Sequence, residues 1–304
     1  MMRFERKQKI FDVGGVKMGG QPGRLPTVLI GSIFYEGDRI VENEKRGVFD
    51  ERKAEELINK QQELSDMTGN PSMIDIVAES ADTMKKYIDF VCSISNAPIL
   101  LDSTSAETKV SGLKHANEVG LIERVVYNSI SIYTKDFEIK AMREVGLESA
   151  IVQTYHPKNP KPEAKIDILK GKKNNVLKSI LEKSGIKNIL VDVSVIDVPS
   201  IGIAAETVRL VKKEFGFPAG GGPTNAILTW KKVKNFGYLT KKICIVTSIA
   251  PLLCSGADFI LYGPIKMCEI VFPCCSMLDA IIAYSARIDG FDTETKDHPL
   301  YKIF

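Results

Sequence analysis

Three short apolar segments each end in a side chain that can make paired hydrogen bonds. Ile99-Leu100-Leu101-Asp102 runs into Ser103-Thr104-Ser105, and Val125-Val126-Tyr127-Asn128 runs into Ser129-Ile130-Ser131. Ile189-Leu190-Val191-Asp192-Val193-Ser194 repeats the theme. Each segment reads as a buried strand, apolar on both faces, that delivers one polar side chain at its C-terminal end. In a barrel of parallel strands those ends converge on one mouth, where active sites are built. Asp and Asn without a partnered His, Cys or Lys suit a ligand rich in N–H donors and ring nitrogens, and suit phosphate poorly.

Asp75, within Met73-Ile74-Asp75-Ile76-Val77, is expected to point into or across the barrel near its upper layer, where a charge must be paired or touch ligand. Asn225 follows Gly220-Gly221-Gly222-Pro223-Thr224 and can enter the pocket from the loop after the seventh strand. The triple glycine permits close approach of a flat ligand, or is simply a flexible turn. Asp102 has a second reading as the N-cap of the helix that follows, a common use of Asp in such loops. Among the histidines, His115 falls on an outer helix, His156 near the mouth after the fifth strand, and His298 in a polar C-terminal tail. No Ser/His/Asp order, Walker loop, H-E-x-x-H or lysine at a strand end is evident, which counts against acyl transfer, metal-dependent hydrolysis and Schiff-base chemistry.

These side chains need a frame. Strands are expected at 27–33, 72–77, 98–102, 124–128, 150–154, 188–193, 216–219 and 257–262. Helical patterns lie between them at 50–67, 81–93, 105–119, 135–144, 174–184, 199–215 and 265–286. The first opens on a capping Asp50 and keeps Ala54, Leu57, Ile58, Gln61 and Leu64 on one side. This alternation has the count and length of an α/β fold of the (β/α)8 or TIM-barrel type. A doubly wound sheet is the runner-up, but the Gly-rich turn a nucleotide-binding version wants after its first strand is missing. Residues 1–26 form an N-terminal hairpin extension turning at Gly14-Gly15 and capping one end of the barrel. The barrel takes 27–287 and a tail 288–304, with no linker or second domain within 1–304.

In 304 residues, 41 basic against 38 acidic side chains leave a charge of +3, which argues against a nucleic-acid protein. The lysine-rich stretch 158–173 reads as a solvated loop and helix face. The six cysteines have no zinc spacing, so no metal site is expected, and Cys274-Cys275 reads as reduced packing residues of a cytosolic protein. Residues 1–9 are charged with no apolar run after them, so no signal peptide is expected. The longest uncharged run, 243–257, contains Pro251 and Gly256 and is too short to span a membrane.

Val28-Leu29-Ile30-Gly31-Ser32-Ile33-Phe34-Tyr35, Lys45-Arg46-Gly47-Val48-Phe49-Asp50, the Asp102 and Asn128 segments, and Ala257-Asp258-Phe259-Ile260-Leu261-Tyr262-Gly263-Pro264-Ile265 together carry a likeness. In these the chain resembles, over about 4–287, the H-subunit family of tetrahydromethanopterin S-methyltransferase. That family belongs to the pterin-binding methyltransferases, similar in fold to dihydropteroate synthase and to corrinoid-dependent methyltetrahydrofolate methyltransferases. The resemblance implies a (β/α)8 barrel. It implies pterin binding by Asp102, Asn128 and Asp192, with Asn225 set at the pterin nitrogen that carries the methyl group. Asp75 is a further pterin contact from position alone. Catalytic roles fall to Asn225 and Asp102. The methyl donor is then methyl-tetrahydromethanopterin, and the acceptor is a cobalamin (corrinoid) held by a partner protein of the same enzyme. Also implied are a homodimer and a peripheral place on the cytoplasmic face of a membrane methyltransferase complex of methanogenesis. Alternatives are a stand-alone methyltetrahydrofolate:corrinoid protein methyltransferase or a non-catalytic docking subunit. Dihydropteroate synthase is disfavoured because no basic cluster is visible at the last strand, where Tyr262-Gly263-Pro264 sits.

Overall fold

Eight parallel strands close into a barrel in the computed structural model, which describes residues 3–171 and 176–304. A first hairpin pairs β1 (Ile10–Val13) with β2 (Val16–Gly19), and a second, not expected from the sequence, pairs β4 (Val41–Asn43) with β5 (Val48–Phe49). The barrel runs β3 (Val28–Ile33), β6 (Ser72–Val77), β7 (Ile99–Asp102), β8 (Val125–Ile130), β9 (Ser149–Gln153), β10 (Asn188–Asp192), β11 (Ala219–Gly221) and β12 (Phe259–Pro264), which returns to β3. Around it lie α1 (Glu51–Thr68), α2 (Ala81–Ile94), α3 (Ala106–Glu118), α4 (Asp136–Glu144), α5 (Pro162–Lys170), α6 (Val176–Ser184) and α7 (Ser200–Glu214). They continue with α8 (Pro223–Thr229), α9 (Tyr238–Cys254), α10 (Cys268–Ile288) and a last turn α11 (Pro299–Lys302). The start expected for α6, Asn174, lies outside the described residues.

Local chemistry sets the boundaries. Asp50 caps α1 by accepting from Lys53 N at 3.0 Å, and Gly69 ends it in the left-handed region at φ 79°. Ser80 and Thr83 form a capping box at α2. Gly14 and Gly15, at φ 54° and 88°, make the two-residue turn of the first hairpin, and Gly15 N donates to Asp12 Oδ1 at 2.8 Å.

Val13 and Met18 of that hairpin plug the base of the barrel. They pack against Val28, Ile30, Met73, Leu100, Val126, Ile151, Leu190 and Phe259, the inward side chains of the strands. Side chains alternate along a strand, so the next inward layer toward the C-terminal ends is Ser32, Asp75, Asp102, Asn128, Gln153 and Asp192. The plug closes one end and leaves those polar groups at the other.

Several boundaries move. The seventh strand is Ala219–Gly221 instead of 216–219, so two glycines of the triplet lie within it. A Cβ on Gly220 would meet Phe259 O at 2.0 Å, so glycine is required by close packing against β12 and not by a turn. The eighth strand starts two residues late because Asp258 is used below it. Its carboxylate holds Lys212 Nζ at 2.7 Å and accepts from Ala219 N at 2.9 Å. The uncharged run 243–257, which is not among the expected helices, lies largely in helix α9, with Pro251 inside it. Lys165, read as part of a solvated face, is 2% exposed, and His298, placed in a polar tail, is fully buried and caps α11. Burial pushes the His298 imidazole down to about 4. Cys275 is buried as expected, and Cys274 is partly so.

Lys212 is fully buried and its ammonium also donates to Gly20 O at 2.9 Å, tying the hairpin, α7 and the approach to β12 together. Lys212→Met is expected to cost about 3–5 kcal/mol, because it leaves the Asp258 carboxyl in the core without its counter-ion. Denaturant unfolding checks this; a loss below about 1 kcal/mol would show that the pair is not structural.

Candidate active site

The four strand-borne residues singled out above meet on one layer. Asp75 is buried, and each of its carboxylate oxygens accepts one bond: Ser32 Oγ donates to Oδ2 at 2.7 Å and Asn128 Nδ2 to Oδ1 at 3.1 Å. Asn128 stands opposite Asp102 in the β7–β8 register, and the Asn128–Ser129 peptide is cis. Asp192 pairs in register with Gln153 and Gly220, and its Oδ1 accepts from Ser194 N at 2.8 Å.

The second reading of Asp102 falls away. Helix α3 is capped by Ser105, whose hydroxyl accepts from Thr108 N at 3.1 Å. Asp102 is therefore left facing the mouth, partly exposed, with no capping duty.

Three carboxyls so close together are hard to ionise at once. Burial, against the Ser32 and Asn128 bonds, raises Asp75 to about 6. Burial and then the neighbouring Asp75 raise Asp102 to about 8, with Lys109 opposing. Burial also raises Asp192, opposed by Ser194 N and Lys165. Two buried ammonium groups thus stand behind the layer. Lys165 donates to Val193 O at 2.6 Å and Ser194 O at 2.9 Å, while Lys109 lies 3.7 Å from Glu138 and 4.7 Å above the Tyr127 ring.

Asn225 occupies the first turn of α8 and is exposed. It reaches the mouth from the rim and not from a strand. Glycines make room for its carboxamide: a Cβ on Gly263 would lie 2.8 Å from Oδ1, and one on Gly222 3.3 Å from Nδ2. Next to it, Thr224 Oγ1 is buried without a hydrogen-bond partner, as is Ser194 Oγ beside Asp192.

His156, expected near the mouth, is turned into its own loop, its Nδ1 accepting from Lys158 N and Asn159 N. His115 pairs with Asp89 at 2.6 Å between α2 and α3. Gln153 and Ser32 were not selected from the sequence. Gln153 carries the same signal as Asp102, a polar side chain closing an apolar run. Ser32 carried none. A third difference concerns charge: Lys266, with Lys241, Lys242 and Arg39, gathers beside the end of β12, where no basic cluster was visible. These residues come from three separate segments, so no local run announces them.

The layer offers carboxyls that accept from adjacent N–H groups and carboxamides that both donate and accept, which matches the edge of a flat nitrogen heterocycle. Against known proteins, residues 6–294 match the family model described as tetrahydromethanopterin S-methyltransferase MtrH subunit. The H subunit of that enzyme from Methanothermobacter marburgensis is 38% identical, covering 100% of each chain. Its counterpart from Methanopyrus kandleri is 40% identical, covering 97% of each. Among solved structures, a Yersinia pestis dihydropteroate synthase with a sulfonamide drug complex aligns over 91% of this chain and 100% of its own, with a TM-score of 0.64 and 14% identity, a likeness of fold.

Proposed function

The chain belongs to the H-subunit family of tetrahydromethanopterin S-methyltransferase, a family of methyltransferases, and on that premise we propose that it transfers the N5-methyl group of methyl-tetrahydromethanopterin to the cob(I)alamin of a corrinoid-carrying partner protein. The observation that carries this reading is the inward layer of Asp75, Asp102, Asn128 and Asp192 at the mouth, with Asn225 on its rim.

In this reading the pterin edge lies across the layer. Its amino group and ring N–H donate to Asp102 and Asp192, and the carboxamide of Asn128 supplies a donor and an acceptor side by side. The methyl acceptor is a nucleophile that displaces the tertiary amine at N5, which leaves well only when N5 holds a proton. Asn225 is no acid, because an amide keeps its protons near neutral pH. Its carbonyl oxygen accepts from protonated N5 and stabilises it. The proton is drawn from the carboxyl set: Asp102 still holds one at neutral pH when the site is empty, and N–H donors arriving at it favour its release. Positioning two bulky reactants is the remaining work, for which a wide mouth is suited.

The partners are the corrinoid-carrying protein and the other components of a membrane methyltransferase complex, on whose cytoplasmic face the chain lies. No helix among the described residues is long and apolar enough to cross a membrane, which is compatible with a peripheral place. A homodimer belongs to the same reading, supported by the exposed apolar stripe Met277, Ile281, Tyr284 and Ile288 along α10.

The test is methyl transfer by the purified chain to free cob(I)alamin, followed by loss of the Co(I) absorbance. Transfer from methyl-tetrahydromethanopterin and not from methyl-tetrahydrofolate is expected. Transfer only from the folate would replace the proposed donor, and none from either, with a folded chain and a corrinoid partner, would leave a docking role.

A further inference from the structure

Beside the mouth lies a cavity of about 700 Å³ that the ring of Asp75, Asp102, Asn128 and Asp192 does not line. Four cations face it: Arg39 from the segment after β3, Lys241 and Lys242 from α9, and Lys266 from the segment after β12. The carboxylates in its wall are Asp38 and Glu269. Asp38 is buried and accepts from Phe34 N at 3.3 Å, and the nearby Lys266 ammonium favours its ionised form, so one of the four cations is partly balanced. Lys242 lies 4.7 Å from the Tyr238 ring centre and Lys266 5.9 Å from that of Tyr35, and among the described residues neither they nor Lys241 holds a carboxylate within 4 Å.

The start of α9 sharpens the case. Its N-terminus has no side-chain cap and no acidic residue in the first turn. Lys241 and Lys242 stand just there, at the positive end of the helix dipole, where cations are disfavoured. The exposed N–H groups and the two ammonium groups together make an electropositive corner that an anion would neutralise.

The cavity adjoins the mouth. Leu228 lines it and lies on α8 with Asn225; a Cβ on Gly263 would touch Leu228 Cδ1 at 3.6 Å and Asn225 Oδ1 at 2.8 Å. Pro264 also lines it and pairs in register with Ser32, the donor to Asp75. A ligand seated across the carboxyl layer can therefore extend a side chain past Asn225 into this corner.

We propose that the cavity is an anion subsite that holds the negatively charged side chain of the pterin substrate, and so selects pterins by the charge of that side chain. The proposal rests on the pterin reading above. Phosphate and carboxylate groups share the chemistry the corner recognises.

The experiment is equilibrium binding of two ligands to the full chain: tetrahydromethanopterin, and 6,7-dimethyltetrahydropterin, which has the ring but no charged side chain. Each is measured with the wild type, with Lys241→Gln/Lys242→Gln and with Lys266→Gln. The expected result is that the variants weaken tetrahydromethanopterin about ten- to hundredfold and leave the short pterin unchanged. Raising salt from about 50 to about 500 mM should weaken only the longer ligand in the wild type, about tenfold. Equal wild-type affinity for both ligands, or equal loss on both, overturns the subsite while leaving the pterin site standing. Unchanged pterin binding with a raised KM for the corrinoid protein would make the corner a docking site for an acidic partner and would also overturn it. Failure of the wild type to bind either ligand would instead remove the pterin reading itself.

Discussion

Asn225→Ala is expected to lower kcat for methyl transfer about 10²- to 10³-fold while changing pterin affinity by a factor of a few, as when one stabilising dipole is deleted at a developing charge. The reasoning is geometric. In the proposed reading the strand-borne layer holds the pterin edge through several groups, whereas Asn225 meets only N5. It stands on the rim, in the first turn of α8, in space kept open by Gly222 and Gly263. A group so placed contributes most when N5 becomes charged and little before. Asn225→Asp separates the two roles further, since a carboxylate would stabilise protonated N5 and should retain more activity than Ala. Steady-state kinetics with single-turnover measurement of the chemical step decides it. A large rise in Kd with kcat intact would put Asn225 in ground-state binding and sink the proposed role.

The second large effect is at Asp102. Asp102→Asn is expected to weaken pterin binding about ten- to hundredfold, the loss of a charge-assisted acceptor, and at the same time to stabilise the ligand-free protein. Unfolded, the carboxyl ionises near its ordinary value of 3.8; folded, burial and the neighbouring Asp75 hold ionisation off to about 8. Between these values the folded chain binds the extra proton. Stability therefore falls as pH climbs from about 4 to about 8 and is level above. The folded value is raised, so the stabilising contribution of this carboxyl is present at low pH and lost on going up. Substituting a neutral amide removes that loss, so the variant gains more stability at pH 8 than at pH 5. Thermal unfolding of both proteins at the two pH values checks this. An Asn variant that is less stable than wild type at pH 8 would show that Asp102 is satisfied in the empty site.

Much of this site was legible because strands are short and periodic. A polar residue at the end of an apolar run must lie at the strand's end, and in a parallel barrel all such ends face one way. That is why Asp102, Asn128 and Asp192 could be named from the sequence, while Asp75 stood out as a lone charge inside an apolar strand. The hairpin plug was legible for the same reason, from Gly14-Gly15 between two alternating segments. Strand seven was not, because Gly220 and Gly221 look like a turn until the proximity of Phe259 is known. Helix α9 hid in an uncharged run containing Pro251, and its role in gathering Lys241 and Lys242 beside Lys266 involves segments with no local sign of kinship.

By itself the sequence determined the alternation of strands and helices, the order of the polar strand ends, and the family likeness, since each depends on side-chain type and on spacing along the chain. Tertiary structure alone decided what those groups do to one another. Whether Asp102 caps a helix or faces the mouth was open until Ser105 was seen to hold the cap. That Asp75 is clasped by Ser32 and Asn128, and that Lys109 and Lys165 stand behind the carboxyls, follows from closure of the barrel. Proton affinity and hydrogen bonding act through space over a few ångströms, and residues far apart along the chain become neighbours only when β12 meets β3.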